Sequence, residues 1–331
     1  MDPLTHGLIG ASASQWFADR NRLRPAALTG LTAALLADLD VFIHSSSDPL
    51  LNVEIHRQFT HSLIFVPIGA LVATLIVWWF VRKRLTLPET YGFSLAGYAT
   101  AGLADAFTSY GTKLLWPFMD ERFSWNIISV FDPLFTLGLL IAVLLAVRLN
   151  SKFCVRAAWV WMLLYLSFGF IQQKRGEAAS QRIAAQHNHQ IERLVVKPTI
   201  GNQVLWSIRY QSGDSLYAAG VRLLPFSEPV IYEGETAALL NWQQIFSGYK
   251  GTTLYDDMHR FSVLSDDFLI LHPDENNVIG DARYSMLPTS MSPLWGVKAD
   301  TTQPDRHLPF LTFRKPDKKT RSAFLEMLLG R

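Results

Sequence analysis

Long uncharged apolar stretches separated by short polar loops fill the first half of the chain, and the second half turns polar with short alternating runs. The apolar run from Leu63 to Val81 is the clearest. As a helix rising about 1.5 Å per residue it comes close to crossing a bilayer core of about 30 Å. Five further segments read as helices at membrane depth: 4–18, 26–43, 92–108, 134–147 and 157–171. The last is short enough that Arg156 would have to snorkel. Thr60 is expected to N-cap the 63–81 helix, leaving His61 and Ser62 in its first turn. Residues 172–196 carry apolar positions at Ile183, Ile191, Leu194 and Val195 and read as an amphipathic helix leaving the membrane, with His187 and His189 on different sides of it. Val204, Trp206, Ile208 and Tyr210 alternate as a half-buried strand, and a turn at Gly213-Asp214 leads into a second strand at 215–224. Further strands are expected at 253–264, 268–271, 278–285 and 308–314, and helices at 236–246 and 320–329. The expected fold is therefore mainly α: a polytopic helical membrane domain of about six membrane-embedded helices over residues 1–172, then a small α+β soluble domain over 173–331.

Composition agrees with an integral membrane protein. Hydrophobic residues make up 49% of the chain and charged ones 18%, and the net charge of +2 gives no basic stripe for nucleic acid. The single cysteine, Cys154, excludes an internal disulfide and a cysteine-rich zinc knuckle. Residues 1–4 lack the basic start of a signal peptide, so the first helix is expected to remain in the mature protein. A Gly-x-Ser-x-Gly elbow, a P-loop and a His-Glu-x-x-His pair are all missing.

Charge distribution sets the expected topology. Loops 19–25, 82–88 and 148–156 hold Arg20, Arg22, Arg24, Arg82, Lys83, Arg84, Arg148, Lys152 and Arg156, whereas loops 44–60 and 109–130 hold only Arg57, Lys113 and Arg122. The positive-inside rule makes the first set cytoplasmic. Alternate threading then gathers His6, Asp38, Asp40, His56, His61, Asp105 and Asp132 at the extracytoplasmic face, and the C-terminal domain is expected on that side of the membrane. A carboxylate at membrane depth costs about 2.5–3.5 kcal/mol on insertion scales unless it is paired or near water. A divalent cation supplies a reason for such convergence, and an imidazole and carboxylate set without thiolate suits a catalytic zinc, with manganese or iron as other candidates. Asp38 and Asp40, two apart, point to different helix faces, so one of them is expected on the metal. Asp132-Pro133 fits either ligation or an ordinary N-cap with Pro at N1. Asp256, Asp257 and His259 read as an acidic turn rather than a second metal site.

Met1-Asp2-Pro3-Leu4-Thr5-His6, Asp38-Leu39-Asp40, His56-Arg57, Thr60-His61-Ser62, and Asp105 leading to Thr108-Ser109-Tyr110-Gly111-Thr112 and Leu115-Trp116-Pro117-Phe118 resemble the YdjM-like family of bacterial inner-membrane proteins. The likeness covers residues 1 to about 150. Asp281-Ala282-Arg283-Tyr284 and Pro293-Leu294-Trp295-Gly296 extend it, less specifically, to longer members with a C-terminal domain. The resemblance implies a membrane-bound, metal-dependent hydrolase of no assigned substrate. It also implies a histidine one helical turn before Asp105, where this chain has Ala101. Either the site has one ligand fewer or a scaffold has lost its metal.

The expected function is hydrolysis by metal-activated water. His6, Asp38, His56, His61 and Asp105 are the candidate ligands, Asp40 or Asp132 the proton acceptor, and Arg57 the partner of an anionic substrate such as a lipid phosphoester. The alternative is a non-catalytic membrane scaffold or partner-binding protein that keeps a degenerate metal site.

Overall fold

The computed structural model describes residues 1–331 and divides into two compact units. In chain order the helices are α1 (Pro3–Phe17), α2 (Leu23–Ala37), the short α3 (Leu51–Ile55), α4 (Val66–Val81), α5 (Leu87–Ala106), α6 (Pro133–Leu149) and α7 (Lys152–Gln186). Strands β1 (Arg193–Pro198), β2 (Leu205–Ser212), β3 (Ser215–Arg222) and β4 (Val230–Ala238) follow, then the one-turn α8 (Trp242–Ile245) and α9 (Thr253–Leu264). Strands β5 (Leu269–Leu271), β6 (Val278–Asp281), β7 (Trp295–Lys298) and β8 (Phe310–Thr312), and finally α10 (Lys318–Leu329), complete the chain.

The first unit comprises Met1–Ile43, Ile55–Ile171 and Ile200–Asn202. Three helices are long and apolar enough to cross a membrane, Arg20–Phe42, Leu63–Val81 and Lys152–Gln186; Pro133–Leu149 is apolar but shorter. The expectation of about six spans is thus too high. Helix α1 has 15 residues, about 22 Å at the helical rise, and buries Ser12, Ser14 and Gln15. Helix α5 likewise buries Thr90 and Ser94. Helix α1 is buried from Thr5 to Gln15 and α5 along one face, whereas α4 and α6 expose apolar side chains: Leu75, Trp79, Phe80, Leu134 and Leu144.

Glycines set how closely these interior helices approach. A Cβ on Gly10 would meet Ala34 and the carbonyl of Gly30, one on Gly30 would strike Gly10 and Ser14, and one on Gly97 would fall on the Gly30 backbone. Helices α1, α2 and α5 therefore cross backbone to backbone, as small residues permit in membrane bundles. Their neighbouring ends are tied by polar bonds. At one end Lys152 Nζ donates to the carbonyls of Gln15 (3.0 Å) and Ala18 (2.9 Å), and Arg22 pairs with Glu89. At the other, the Asp2 amide donates to Val130 (2.8 Å) and Thr5 Oγ1 meets Thr136 Oγ1 at 2.6 Å.

The second unit comprises His44–Glu54, Gln172–Thr199 and Gln203–Arg331. Two four-stranded antiparallel sheets run in sequence order, β1-β2-β3-β4 and β5-β6-β7-β8. Ala179, Ile183 and Ala184 of α7 pack on Trp206, Ile208 and Val221 of the first sheet, and Leu254, Met258 and Phe261 of α9 pack with Leu269, Ile279 and Val297 of the second. The stretch 253–264, expected as a strand, is helical because those three buried positions recur at helical spacing and Thr252 caps it, accepting from the Tyr255 amide at 3.4 Å. Residues 236–246, expected as a helix, supply the end of β4 and the single turn α8. The helix expected to reach 196 stops at Gln186, and β1 begins at Arg193. His187 and His189 consequently stack on each other, ring centroids 5.5 Å apart, instead of facing opposite sides. Segment 44–54, expected as a membrane-domain loop, packs here: Leu50 is fully buried, and Asp48 and Glu54 both clasp Arg260, at 2.9 and 2.8 Å.

The interior of this unit carries cations. Arg209 is fully buried and donates to the carbonyls of Ala282 (3.0 Å), Pro288 (2.5 Å) and Ser290 (2.8 Å). Lys197 Nζ lies 3.0 Å from the centroid of the Tyr284 ring and has no hydrogen-bond partner. Burial pushes the Lys197 amine well below the usual lysine range, although Asp281 pulls the other way. Between its lowered native pKa and the ordinary lysine value, the unfolded chain therefore binds more protons at this site than the native form. The site's contribution to stability rises with pH until the ordinary lysine pKa of about 10.4. Lys197→Met is expected to melt above wild type at pH 7, with the gap narrowing toward pH 10 in thermal scans of the detergent-purified protein. A gap constant across that range would mean Lys197 is charged in the native state.

Candidate metal centre

The polar end of the first unit is assembled from helix ends. His6 lies in the second turn of α1, whose N-cap Asp2 accepts from the Thr5 amide at 3.0 Å. Asp38 and Asp40 follow α2 in a 3₁₀ turn, Asp38–Phe42, and Asp105 sits in the last turn of α5. The segment before α4 is not the capped helix start expected: Phe59–His61 is a separate 3₁₀ turn and α4 begins at Val66. Thr60 points its hydroxyl at Asp40 Oδ2 (2.6 Å) rather than at the helix. Tyr98 of α5 reaches across to donate to the Thr60 carbonyl at 2.9 Å, and the Lys113 and Leu63 amides donate to Arg57 and Leu114 at 3.0 and 2.9 Å. Gly102 lets α5 pass so close that an added Cβ would strike the His61 carbonyl.

His6, Asp38 and His61 each offer a ligand atom, all within 4.8 Å of one another. His6 Nδ1 lies 3.2 Å from Asp38 Oδ2 and His61 Nε2 lies 3.4 Å from Asp38 Oδ1 and 3.3 Å from Asp105 Oδ2. Ligands around a tetrahedral ion with bonds of about 2.0–2.1 Å stand about 3.3 Å apart. The hydrogen bonds on the far side of each ring fix which nitrogen faces inward. His6 Nε2 is bonded to Asp105 Oδ1 (3.1 Å) and His61 Nδ1 to Thr60 Oγ1 (3.0 Å), itself bonded to Asp40. His6 Nδ1, His61 Nε2 and Asp38 Oδ2 remain buried without a hydrogen bond, whereas Asp105 is ion-paired with Arg57 through Oδ2 and with the Met1 ammonium through Oδ1. Burying such atoms unpaired costs about 1–3 kcal/mol each, so a group of them facing one another fits a cation. The carboxylates demand positive charge here: burial alone would lower the His61 pKa, but hydrogen bonds with Asp105, Asp38 and Asp40 carry it up to about 10.

Four of the eight candidates, His6, Asp38, His61 and Asp105, meet around this point. His56, a candidate ligand, instead directs Nδ1 to Asp40 Oδ1 at 2.7 Å. Asp40, a candidate proton acceptor, is buried with its oxygens taken by His56, Thr60 and the Arg57 amide (2.9 Å). Arg57, the expected substrate partner, is itself buried with Nε 2.8 Å from Asp105 Oδ2, and its backbone is left-handed at φ 62°. Its charge is spent on Asp105. Asp132 joins none of these; it caps α6 through the Phe135 amide (3.2 Å) and receives the Tyr165 hydroxyl at 2.8 Å. Ala101, one turn before Asp105, is packed among Ala33, Ala37, Ala70, Ala73 and Tyr98. Sequence reasoning missed the links through Thr60, Tyr98 and Gly102. The Thr60-His61-Ser62 motif drew attention to Thr60, but nothing in one chain marks a hydroxyl as a relay between two distant helices.

In the second unit Asp48, Asp257 and His307 also form a group of metal-ligand type. Arg260 sits among these carboxylates, 2.7 Å from Asp257 Oδ1 and 2.9 Å from Asp48 Oδ2, and supplies the positive charge.

A helical membrane unit closed around a buried histidine and aspartate centre is the class that fold and site define. The chain belongs to the YdjM inner membrane protein family, which matches residues 1–176, and it is an inner-membrane protein. It is 35% identical over 106 residues to the inner membrane protein YbcI of Escherichia coli (strain K12), an alignment covering 30% of this chain. The chain spans 60% of the length of that relative. No solved structure matches it.

Packing around the centre makes its tolerance testable. Gly102→Ala is expected to cost about 1–3 kcal/mol by forcing α5 away from His61, and Ala101→His to destabilise by the same overpacking. Gly92→Ala, with nothing within 4 Å, is expected to be neutral or slightly stabilising. Thermal unfolding in detergent compares the three; an unaffected Gly102→Ala would contradict the close approach.

Proposed function

We propose that this protein is a membrane-bound, metal-dependent hydrolase acting on phosphoesters, with a lipid headgroup as the substrate class. The observation that carries the reading is the set of inward-facing polar atoms without a hydrogen bond on His6, Asp38 and His61, which lie within 4.8 Å of one another. A divalent cation of the zinc class held there supplies Lewis acidity and lowers the pKa of water to near neutrality. His6 Nδ1 and His61 Nε2 are the ring nitrogens that would hold the ion, because Asp105 and Thr60 engage the opposite nitrogens. Asp38 gives the anionic ligand, and Arg57 balances Asp105 so that the unit does not bury an uncompensated carboxylate.

A lipid substrate is supported by the apolar surface beside these elements. Leu39, Val41 and Phe42 flank the Asp38–Asp40 turn, Leu63 and Ile64 follow His61, and Phe118 and Met119 lie in the loop after Gly111; all are exposed. Apolar side chains next to a polar centre suit headgroup depth, where acyl chains and water meet. We also place the centre and the C-terminal unit on the extracytoplasmic side, because the basic loops carry nine Lys and Arg residues against three.

Purified protein, stripped with chelator and titrated with zinc or manganese, is expected to bind one ion tightly, and His61→Ala to lose it; phosphoester and phospholipid hydrolysis is expected to follow the loaded fraction. A wild type that binds no transition metal would remove the enzymatic reading and leave a structural polar cluster. Reporter fusions after Arg84 and Gln190 are expected to report opposite compartments. Two cytoplasmic signals would overturn the orientation.

A further inference from the structure

We propose that His56 is the proton-transfer residue of this centre and not one of its metal ligands, with Asp40 as its positioning residue; this rests on the hydrolase reading above. His56 and His61 look equivalent as a His-x4-His pair, but the structure gives them opposite surroundings. The His61 side chain is fully buried, with Nε2 facing Asp38 and Asp105. The His56 side chain is 34% exposed and reaches Asp40 Oδ1 through Nδ1 at 2.7 Å. That bond engages Nδ1 with the carboxylate and leaves Nε2 as the ring nitrogen that Asp40 does not hold.

The dyad is held firmly. Asp40 is buried, and besides His56 it takes the Arg57 amide at 2.9 Å and the Thr60 hydroxyl at 2.6 Å. Arg122 grips the His56 carbonyl at 3.4 Å. Through Thr60 the same carboxylate also sets the His61 ring, so one residue aligns both the base and a ligand, and the two rings lie 6.3 Å apart, edge to face. In hydrolysis the water oxygen bonds to phosphorus while the phosphorus–oxygen ester bond breaks. His56 Nε2 takes the water proton and returns it to the departing alcohol oxygen, so no external acid or oxidant is needed.

The test uses full-length protein in detergent, with and without one equivalent of zinc, treated with diethylpyrocarbonate and read by peptide mass spectrometry. His56 is expected to react equally in both forms, while His61 stays protected in the zinc form. His56→Ala is expected to keep wild-type zinc affinity, to lose about 10²–10⁴-fold in phosphodiester turnover, and to regain part of it with added imidazole. Protection of His56 by zinc, or a fall of about 10–100-fold in zinc affinity on His56→Ala, would make it a ligand and overturn the proposal while the hydrolase reading stands. A zinc-loaded wild type that cleaves no phosphoester would instead remove the hydrolase reading, and the proton-transfer role with it, whatever the reactivity of His56.

Discussion

The close crossing of α1, α2 and α5 at Gly10, Gly30 and Gly97 is the constraint on which the first unit depends. Membrane helices gain little from burying apolar surface against one another, because lipid is as apolar as leucine; close van der Waals approach between backbones takes over that role. Three glycines at one level let three helices meet there, and their polar ends then meet as well. His6 rides on α1, Asp38 follows α2 and Asp105 closes α5. The chemistry of the centre is thus a consequence of a packing solution about one to two helical turns away.

A second layer of bonds turns proximity into orientation. Thr60 joins His61 to Asp40, Tyr98 holds the Thr60 carbonyl, and Asp105 joins His6 to Arg57. Each outer bond occupies one side of a group and leaves the other side facing the centre. Such outer partners set the tautomer and direction of ligating histidines. Asp40 is the common element, since it aligns the buried His61 through Thr60 and the half-exposed His56 directly.

The second unit solves a different problem with the same physics. Its buried cations, Arg209 and Arg283, are satisfied by carbonyls and by Asp281, and Arg260 is enclosed by Asp48, Glu54 and Asp257. Where Arg260 brings its own positive charge, a group of carboxylates needs no ion. Where histidines and a carboxylate face one another with their outer sides occupied, as at His6, Asp38 and His61, the group has a donor set of metal-ligand type.

The sequence by itself determined the membrane class, the family, the polar residues gathered at helix ends, and strands such as β2, because hydropathy and period are local properties. It also gathered His6, Asp38, Asp40, His56, His61, Asp105 and Asp132 by their placement at one end of alternating segments, without telling them apart. Tertiary structure alone decided that α1 is an interior element, since a short helix with buried serines reads as a weak span until its neighbours are known. It decided that 253–264 is helical, where a half-apolar run fits both periods over a short length. And it separated His56 from His61, and Asp132 from Asp105: residue type and spacing are the same for a ligand, a base and a cap, and only the partner on the other side of each group tells them apart.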